Sequence, residues 1–363
     1  MRLNAGPHAR AELAVLARPE PAPGGWRELY EAARRRAARA SAKRRATRIA
    51  AAKGRELARI KAASAFVSAK LERIALTMPF LDSLHPFYRE LLATMVDENE
   101  YKLCLSRLRS AARITRKVAA EAARSVLASS SRREAAEARR AFFGRLRSLL
   151  ESLDSCLGMV KRWQAEMSKV PDIDPEAPSV VITGAPNVGK SSLLRAISRA
   201  KPEVKPYPFT TTNVIVGHLE LAGVSVQVID TPGLLDRPLS EKGPVERRAI
   251  SALRHLKGVA VFIFDPSESC GFPLEYQLSV YSSVKELWAG KPLVAVANKV
   301  DITSAERAHA LVRALGGDAR ELIFISALKG IGVDYLLARL EAAVAPLLPA
   351  TETFLRRGTA SGT

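Results

Sequence analysis

Gly184-Ala185-Pro186-Asn187-Val188-Gly189-Lys190-Ser191 is the stretch that decides the fold. It follows the apolar run Ser179-Val180-Val181-Ile182-Thr183 and opens the helix-like run Ser192-Leu193-Leu194-Arg195-Ala196-Ile197. A strand, then G-x-x-x-x-G-K-[ST], then a helix is the context of a phosphate-binding P-loop. Gly184 and Gly189 let the backbone wrap closely around a polyphosphate, where successive N–H groups form a nest. The residues expected around the ligand are Asn187, Val188, Gly189, Lys190, Ser191 and Ser192. Lys190 would reach the outer phosphates and Ser191 would help hold Mg2+. The alternative is a glycine-rich turn with no ligand, which the flanking pattern disfavours.

The chain of 363 residues is 47% apolar and only 6% aromatic, so two or three domains with Ala-, Leu-, Val- and Ile-rich cores are expected. The net charge of +19 is unevenly spread. Residues 1–170 hold 35 Lys and Arg against 17 Asp and Glu, whereas residues 171–363 hold 21 against 20. Charge concentrated in one half is the footprint of a polyanion partner, and the runs Arg34-Arg35-Arg36 and Arg44-Arg45 in its N-terminal part are expected to contribute to RNA binding. Cys104, Cys156 and Cys270 lie far apart with no C-x-x-C, which fits a reducing cytoplasm and speaks against a disulfide framework or zinc site. No apolar run approaches ~18 residues and no leader pattern opens the chain, so a soluble, cytoplasmic protein without a membrane span is expected.

Proline and glycine divide the chain. Residues 1–25 read as an irregular arm and residues 26–170 as a basic antiparallel helical bundle. In the bundle, Leu57, Ile60, Ser64, Val67, Leu71 and Ile74 share one helix face, with Gly54 as a possible break. Pro86 opens a second long helix reaching about Leu127. Phe142, Leu146, Leu149, Leu153, Cys156, Val160, Trp163 and Met167 form a heptad seam that predicts one long third helix. Residues 171–178 read as a linker, 179–349 as an α/β domain and 350–363 as a loose tail. Val214–Leu221 and Val224–Ile229 predict a hairpin, and Val259–Phe264, Leu293–Ala297 and Leu322–Ile325 predict buried parallel strands. Helices should start near Pro244, Leu274, Ser304 and Gly332. The fold class is an all-α helical bundle followed by a doubly wound α/β P-loop domain with a mostly parallel sheet.

Further motifs fall at strand ends. In Tyr207-Pro208-Phe209-Thr210-Thr211-Thr212, a threonine could close over Mg2+ and the terminal phosphate. In Val228-Ile229-Asp230-Thr231-Pro232-Gly233, Asp230 can hold the Mg2+ water shell and the Gly233 N–H can bind that phosphate. In Asn298-Lys299-Val300-Asp301, the Asp301 carboxylate can accept from the two donors on the guanine edge that adenine lacks. Asn298 would hold neighbouring loops and the base edge, and the Lys299 stem would lie over the ring. A backbone N–H of Ser326-Ala327-Leu328-Lys329 can meet the guanine O6.

This ordered set resembles the TRAFAC-class GTPases, and Pro186-Asn187, Tyr207-Pro208-Phe209-Thr210-Thr211 and Asp230-Thr231-Pro232-Gly233 resemble their Obg-like branch. Leu84-His85-Pro86-Phe87-Tyr88, Gly233-Leu234-Leu235-Asp236-Arg237-Pro238-Leu239 and Asp265-Pro266-Ser267-Glu268-Ser269-Cys270-Gly271 are similar to the nucleolar GTP-binding protein 1 family, in its shorter archaeal form. The resemblance implies a GTPase that uses GTP/GDP and Mg2+ and binds large-subunit ribosomal RNA or a pre-ribosomal particle, with ribosomal proteins as further partners. It implies Thr211 as the Mg2+-binding switch threonine beside Ser191 and Asp230, with Thr210 and Thr212 as competitors. Lys190, Thr211 and Gly233 would then be the residues at the transferred phosphate. Asn187 matches the position that helps hold a monovalent cation such as K+ in related GTPases. Leu234 stands where Ras-like enzymes carry a water-orienting glutamine, so slow intrinsic hydrolysis is expected. The competing expectations are a basic bundle that binds an anionic membrane or a protein, and a nucleotide binder with negligible hydrolysis.

Overall fold

The computed structural model describes residues 19–42, 47–198, 203–207, 213–221 and 223–348. The expectations for residues 1–18, for Arg44 and Arg45, for Thr210, Thr211 and Thr212, and for the tail lie outside them. The chain forms two units. Among the described residues, one is helical and holds residues 19–81 and Met95–Ser168; the other holds Asp82–Thr94 and residues 169–348.

The helical unit contains α1 (Trp26–Arg39), α2 (Arg48–Thr77), α4 (Glu98–Ala128), α5 (Arg132–Glu151) and α6 (Asp154–Met167). Its seams are the expected ones except at Leu57 and Leu149, which are half-buried: Ile60, Val67, Leu71 and Ile74 on α2, then Phe142, Leu146, Cys156, Val160, Trp163 and Met167, are all buried. Three boundaries differ. Gly54 lies buried inside α2, and the break comes earlier, where Thr47 caps α2 by accepting from the Ala50 N–H. The second long helix starts at Asp97, which accepts from the Glu100 N–H with acids in the first turn. The third is interrupted at Ser152-Leu153, although the buried seam runs on from α5 into α6. Pro19–Gly25 is irregular but held: the Glu20 carboxylate pairs with Lys70 and Arg73, and Gln164 bonds the backbone of Glu20 and Ala22. Cys104 and Cys156 form a disulfide with Cα atoms 5.4 Å apart, which corrects the reading against one. Their separation of 52 residues conceals that α4 and α6 bring them together.

The second unit is built on a seven-stranded sheet among the described residues, in the order β2-β3-β4-β1-β5-β6-β7. The strands are β1 (Ser179–Thr183), β2 (Glu203–Pro206), β3 (Asn213–Leu221), β4 (Val224–Asp230), β5 (Gly258–Phe264), β6 (Leu293–Ala297) and β7 (Ile323–Phe324). β1 runs parallel to β4 and β5, β5 to β6, and β6 to β7, whereas β2 and β3 are antiparallel additions. The five residues of β1 and the seven of β5 are all buried, as strands covered on both faces must be. The helices α7 (Lys190–Ile197), α8 (Pro244–Ser251), α9 (Leu274–Leu287), α10 (Ala305–Leu315) and α11 (Val333–Val344) start where the sequence placed them. β2 is an addition that no sequence pattern announced.

One helix changes units. The sequence assigned residues 82–94 to the bundle, but α3 (Pro86–Leu92) belongs to the α/β unit. Phe87, Tyr88, Leu91 and Leu92 are fully buried, and the Tyr88 hydroxyl donates to the Ile173 carbonyl at 2.5 Å. Glu90 pairs with Arg254 at 2.6 Å and His255 at 3.1 Å, anchoring the helix to the segment before β5. Tyr88→Phe keeps the ring and leaves the Ile173 carbonyl without that donor. We expect it to lower the unfolding free energy by about 1–3 kcal/mol in a denaturant titration that follows the α/β unit; an unchanged midpoint would show that α3 is not held by this bond.

Candidate nucleotide site

The site lies at the carboxyl ends of the parallel strands, where β1 stands between β4 and β5. The loop Gly184–Gly189 leaves β1 and enters α7 through three left-handed residues, Gly184 (φ 136°), Asn187 (φ 60°) and Gly189 (φ 104°). A Cβ on Gly184 would meet the Ile263 carbonyl at 2.5 Å, and one on Gly189 would collide with the Asn298 amide. Only glycine fits at both positions. No side chain caps the first turn of α7, so its N–H groups face the loop's interior.

Lys190 is 7% exposed, and its ammonium donates to the carbonyls of Gly184 (2.8 Å) and Ala185 (2.7 Å). Burial lowers its pKa, against the pull of Asp230 and Asp236. The cation thus spans the loop and uses the loop's own carbonyls in place of an anion. Ser191 donates to Asp230 Oδ2 at 2.9 Å, while Asp230 Oδ1 is buried with no hydrogen-bond partner. Asp230 is fully buried, and burial pushes its pKa up against Ser191 and Lys190. An orphaned carboxylate oxygen beside a hydroxyl is a donor set suited to a hard divalent cation, so Ser191 and Asp230 fit Mg2+. No cluster of three or more His, Cys, Asp or Glu suited to a metal occurs among the described residues.

Behind Asp230, the Thr231 hydroxyl donates to the Ile182 carbonyl at 3.0 Å, and the Leu234 N–H donates to the Thr231 carbonyl at 3.2 Å. Pro232 and Gly233 (φ 75°) are the central residues of that turn, in the order a type II turn requires. Leu234 is fully buried, so its side chain does not reach the loop's ligand space.

Asn298 ties the loops together. Its amide nitrogen donates to the Val188 carbonyl at 2.8 Å, and its amide oxygen accepts from the Ala327 N–H at 2.9 Å. That commitment removes Ala327 as a donor to a base and leaves the Leu328 N–H as the available one in the turn; the Leu328 side chain is 85% exposed. Asp301 is held by Ser326 and lies 3.4 Å from Lys329, contacts that keep its carboxyl below the usual range, Ser326 contributing most. Lys299, at φ 61°, donates to Asp265 Oδ2 (2.8 Å) and Ser269 Oγ (2.9 Å). Asp265, fully buried at the end of β5, also accepts from the Ser267 and Cys270 N–H groups. Burial pushes its pKa up, but Lys299 and these donors leave it below the usual range. The sequence reading quoted Asp265 and Ser269 without giving them a role; an acid closing a buried strand was the signal. The structure thus brings Asn187–Ser192, Asp230, Gly233, Asn298–Asp301 and Ser326–Leu328 to one sheet end, with Thr211 outside the described residues.

Two family profiles match the chain: the "NOG1 N-terminal helical domain" over residues 21–174 and "Nucleolar GTP-binding protein 1 (NOG1)" over residues 244–301. Nucleolar GTP-binding protein 1 of Drosophila melanogaster is 38% identical over 237 residues, 65% of this chain and 36% of that protein. Its Saccharomyces cerevisiae counterpart is 36% identical over the same length, 65% of this chain and 37% of that protein. A crystal structure described as a nucleolar GTP-binding protein 1 from Plasmodium falciparum is 31% identical, with a TM-score of 0.44, covering 53% of this chain and 97% of that one. The chain therefore spans little more than a third of the curated relatives it matches. Those relatives are named for the nucleolus, which overturns the expectation of a plainly cytoplasmic protein.

The charge on Asp230 gives a testable sign. Its folded pKa is raised, so its contribution to stability is full below the unfolded value of ~3.9 and is lost as pH rises through the folded value. In Mg2+-free buffer at pH 7, Asp230→Asn should therefore unfold at a higher temperature than wild type, and the gap should close as pH falls towards 4. Adding Mg2+ should stabilise the wild type alone. An Asp230→Asn protein that melts lower than wild type at neutral pH would contradict the assignment.

Proposed function

This chain belongs to the nucleolar GTP-binding protein 1 family, and from that premise we propose that it binds GTP and GDP, hydrolyses GTP slowly, and docks on large-subunit ribosomal RNA through its basic helices. The observation that carries the nucleotide reading is the Asn298 amide, which joins the P-loop to the turn beside Asp301. Phosphate cradle and base-reading carboxylate are thereby fixed in one frame. Asp301 selects guanine because its carboxylate accepts from N1–H and N2–H2, a donor pair that adenine lacks.

Ser191 and Asp230 would hold Mg2+, which when bound neutralises charge developing on the transferred phosphoryl group. Lys190 exchanges the Gly184 and Ala185 carbonyls for phosphate oxygens, a stronger charge-assisted pairing. The Gly233 N–H meets the terminal phosphate, and Thr211 completes the cation's ligands. With Leu234 packed in the core, no residue in this turn orients the attacking water, which favours slow turnover. Asn187, exposed and left-handed at the loop's tip, would help hold K+ as a substitute positive charge.

The RNA reading rests on charge. The sequence pointed to Arg34, Arg35, Arg36, Arg44 and Arg45, yet Arg34 pairs with Glu31 and Arg36 lies over the Phe66 ring at 4.5 Å. A better candidate is α4, where Arg109, Arg113, Lys117 and Arg124 are exposed on one face over ~22 Å. None of these four has a carboxylate within ion-pair distance among the described residues. A row of unpaired cations suits the phosphates of a structured RNA, with affinity falling steeply as salt rises. No helix among the described residues is long and apolar enough to cross a membrane.

Two outcomes are expected. Wild-type protein should prefer guanine nucleotides, and Asp301→Asn should shift preference to xanthine nucleotides, because an amide can donate to the oxygen that replaces the amino group; competitive binding of GDP and XDP reads this directly. Unchanged preference would remove Asp301 from base selection. Changing Arg113, Lys117 and Arg124 together to Glu should weaken binding to structured rRNA and leave GDP affinity unaltered. Contacts to ~6 phosphates make wild-type affinity fall on the order of 10³ between 50 and 200 mM salt. A wild-type protein that ignores RNA at low salt but binds anionic vesicles would replace the RNA reading with a membrane one.

A further inference from the structure

The α/β unit contains a second buried lysine that the proposed chemistry does not use. Lys242 lies between the turn at Gly233 and α8, and its side chain has no solvent exposure. Its ammonium donates to the Gly233 carbonyl at 3.1 Å and to Glu246 Oε1 at 2.9 Å, with Asp236 Oδ1 4.0 Å away. Glu246 is gripped from its other side by Arg237, which lies 3.2 Å from both carboxylate oxygens. The cation is therefore fixed before it touches the backbone. Desolvating a charge is costly, and an apolar side chain of similar length would fill the space at lower cost. What only the ammonium provides is a fixed donor on the Gly233 carbonyl.

We propose that Lys242 is a positioning residue that pins the Gly233 turn so that its N–H stays within reach of the terminal phosphate, letting the site distinguish a nucleoside triphosphate from a diphosphate. The turn has two anchors. Both act on the Gly233–Leu234 peptide: its N–H closes the turn onto the Thr231 carbonyl, and its carbonyl accepts from Lys242. With that peptide held on both edges and the proline ring fixing φ of the residue before it, Gly233 cannot draw away, and its N–H stays within reach of the terminal phosphate. A diphosphate has no group at that position, so it gains nothing from the lock. The proposal rests on the guanine-nucleotide reading above and adds the element that senses the third phosphate.

Calorimetric titration of the full chain with Mg2+ and either GDP or a non-hydrolysable GTP analogue tests it. Lys242→Met should weaken the analogue by about tenfold, the scale of one lost charge-assisted bond, and leave GDP within about twofold. Turnover at saturating GTP should fall with it. Glu246→Gln, which loosens the lysine but retains a polar partner, should shift the same ratio in the same direction by less, and it decides the matter if the methionine variant does not fold. Equal weakening of both ligands, or no change in their ratio, would overturn the proposal. A wild-type chain that binds neither ligand would overturn the guanine reading itself, a result distinct from an unchanged ratio.

Discussion

One carboxamide holds the site together. Asn298 is 2% exposed, and both ends of its amide are engaged, one on the P-loop and one on the turn after β7. Its own N–H continues the ladder by donating to the Phe264 carbonyl at 2.8 Å, so the tie is anchored in the sheet. Removing one partner of such a buried pair leaves polar groups without bonds, at a cost of about 1–3 kcal/mol each. Gly189 is obligatory partly for this reason, since the Asn298 amide occupies the space a side chain would need. The loops of the site are thus held in register by a polar contact inside the protein.

Around that tie the structure accumulates buried charge that is only half answered. Lys190 is satisfied by carbonyls of its own loop, and Asp230 keeps one oxygen unpaired. Each raises the energy of the ligand-free protein and, on the proposed reading, would be relieved by groups that a magnesium nucleotide carries. Asp265 and Lys299 show the opposite design, a pair in which burial is outweighed by donors, as suits a support. Charges held ready for a ligand and charges that support the frame thus differ in whether their partners are already present.

The fold and the phosphate cradle were legible because each rests on local pattern. Gly184 to Ser191 follows an apolar run, and Pro244, Leu274, Ser304 and Gly332 mark helix starts that the structure keeps. Asn298 was expected to hold neighbouring loops, and it does. What escaped was set by distance along the chain. α3 carries a helix-start proline and an apolar face, but nothing local says that Tyr88 will reach Ile173 across 85 residues. Cys104 and Cys156 meet only because two helices pack side by side. The broken third helix kept its heptad, because a seam of buried residues survives a two-residue interruption. Likewise the density of the arginine runs does not tell which cations are paired, because a contact such as Arg34 with Glu31 is set by the helix.

A crystal structure of the full chain with Mg2+ and GDP tests the central claim most directly, that the site is preassembled around Asn298. The account predicts that both Asn298 bonds persist, that Asp301 meets the edge of the guanine, and that the Lys190 ammonium leaves the Gly184 and Ala185 carbonyls for the phosphates. Asn298 torn from Val188 or Ala327 in the complex, or the base bound away from Asp301, would contradict it.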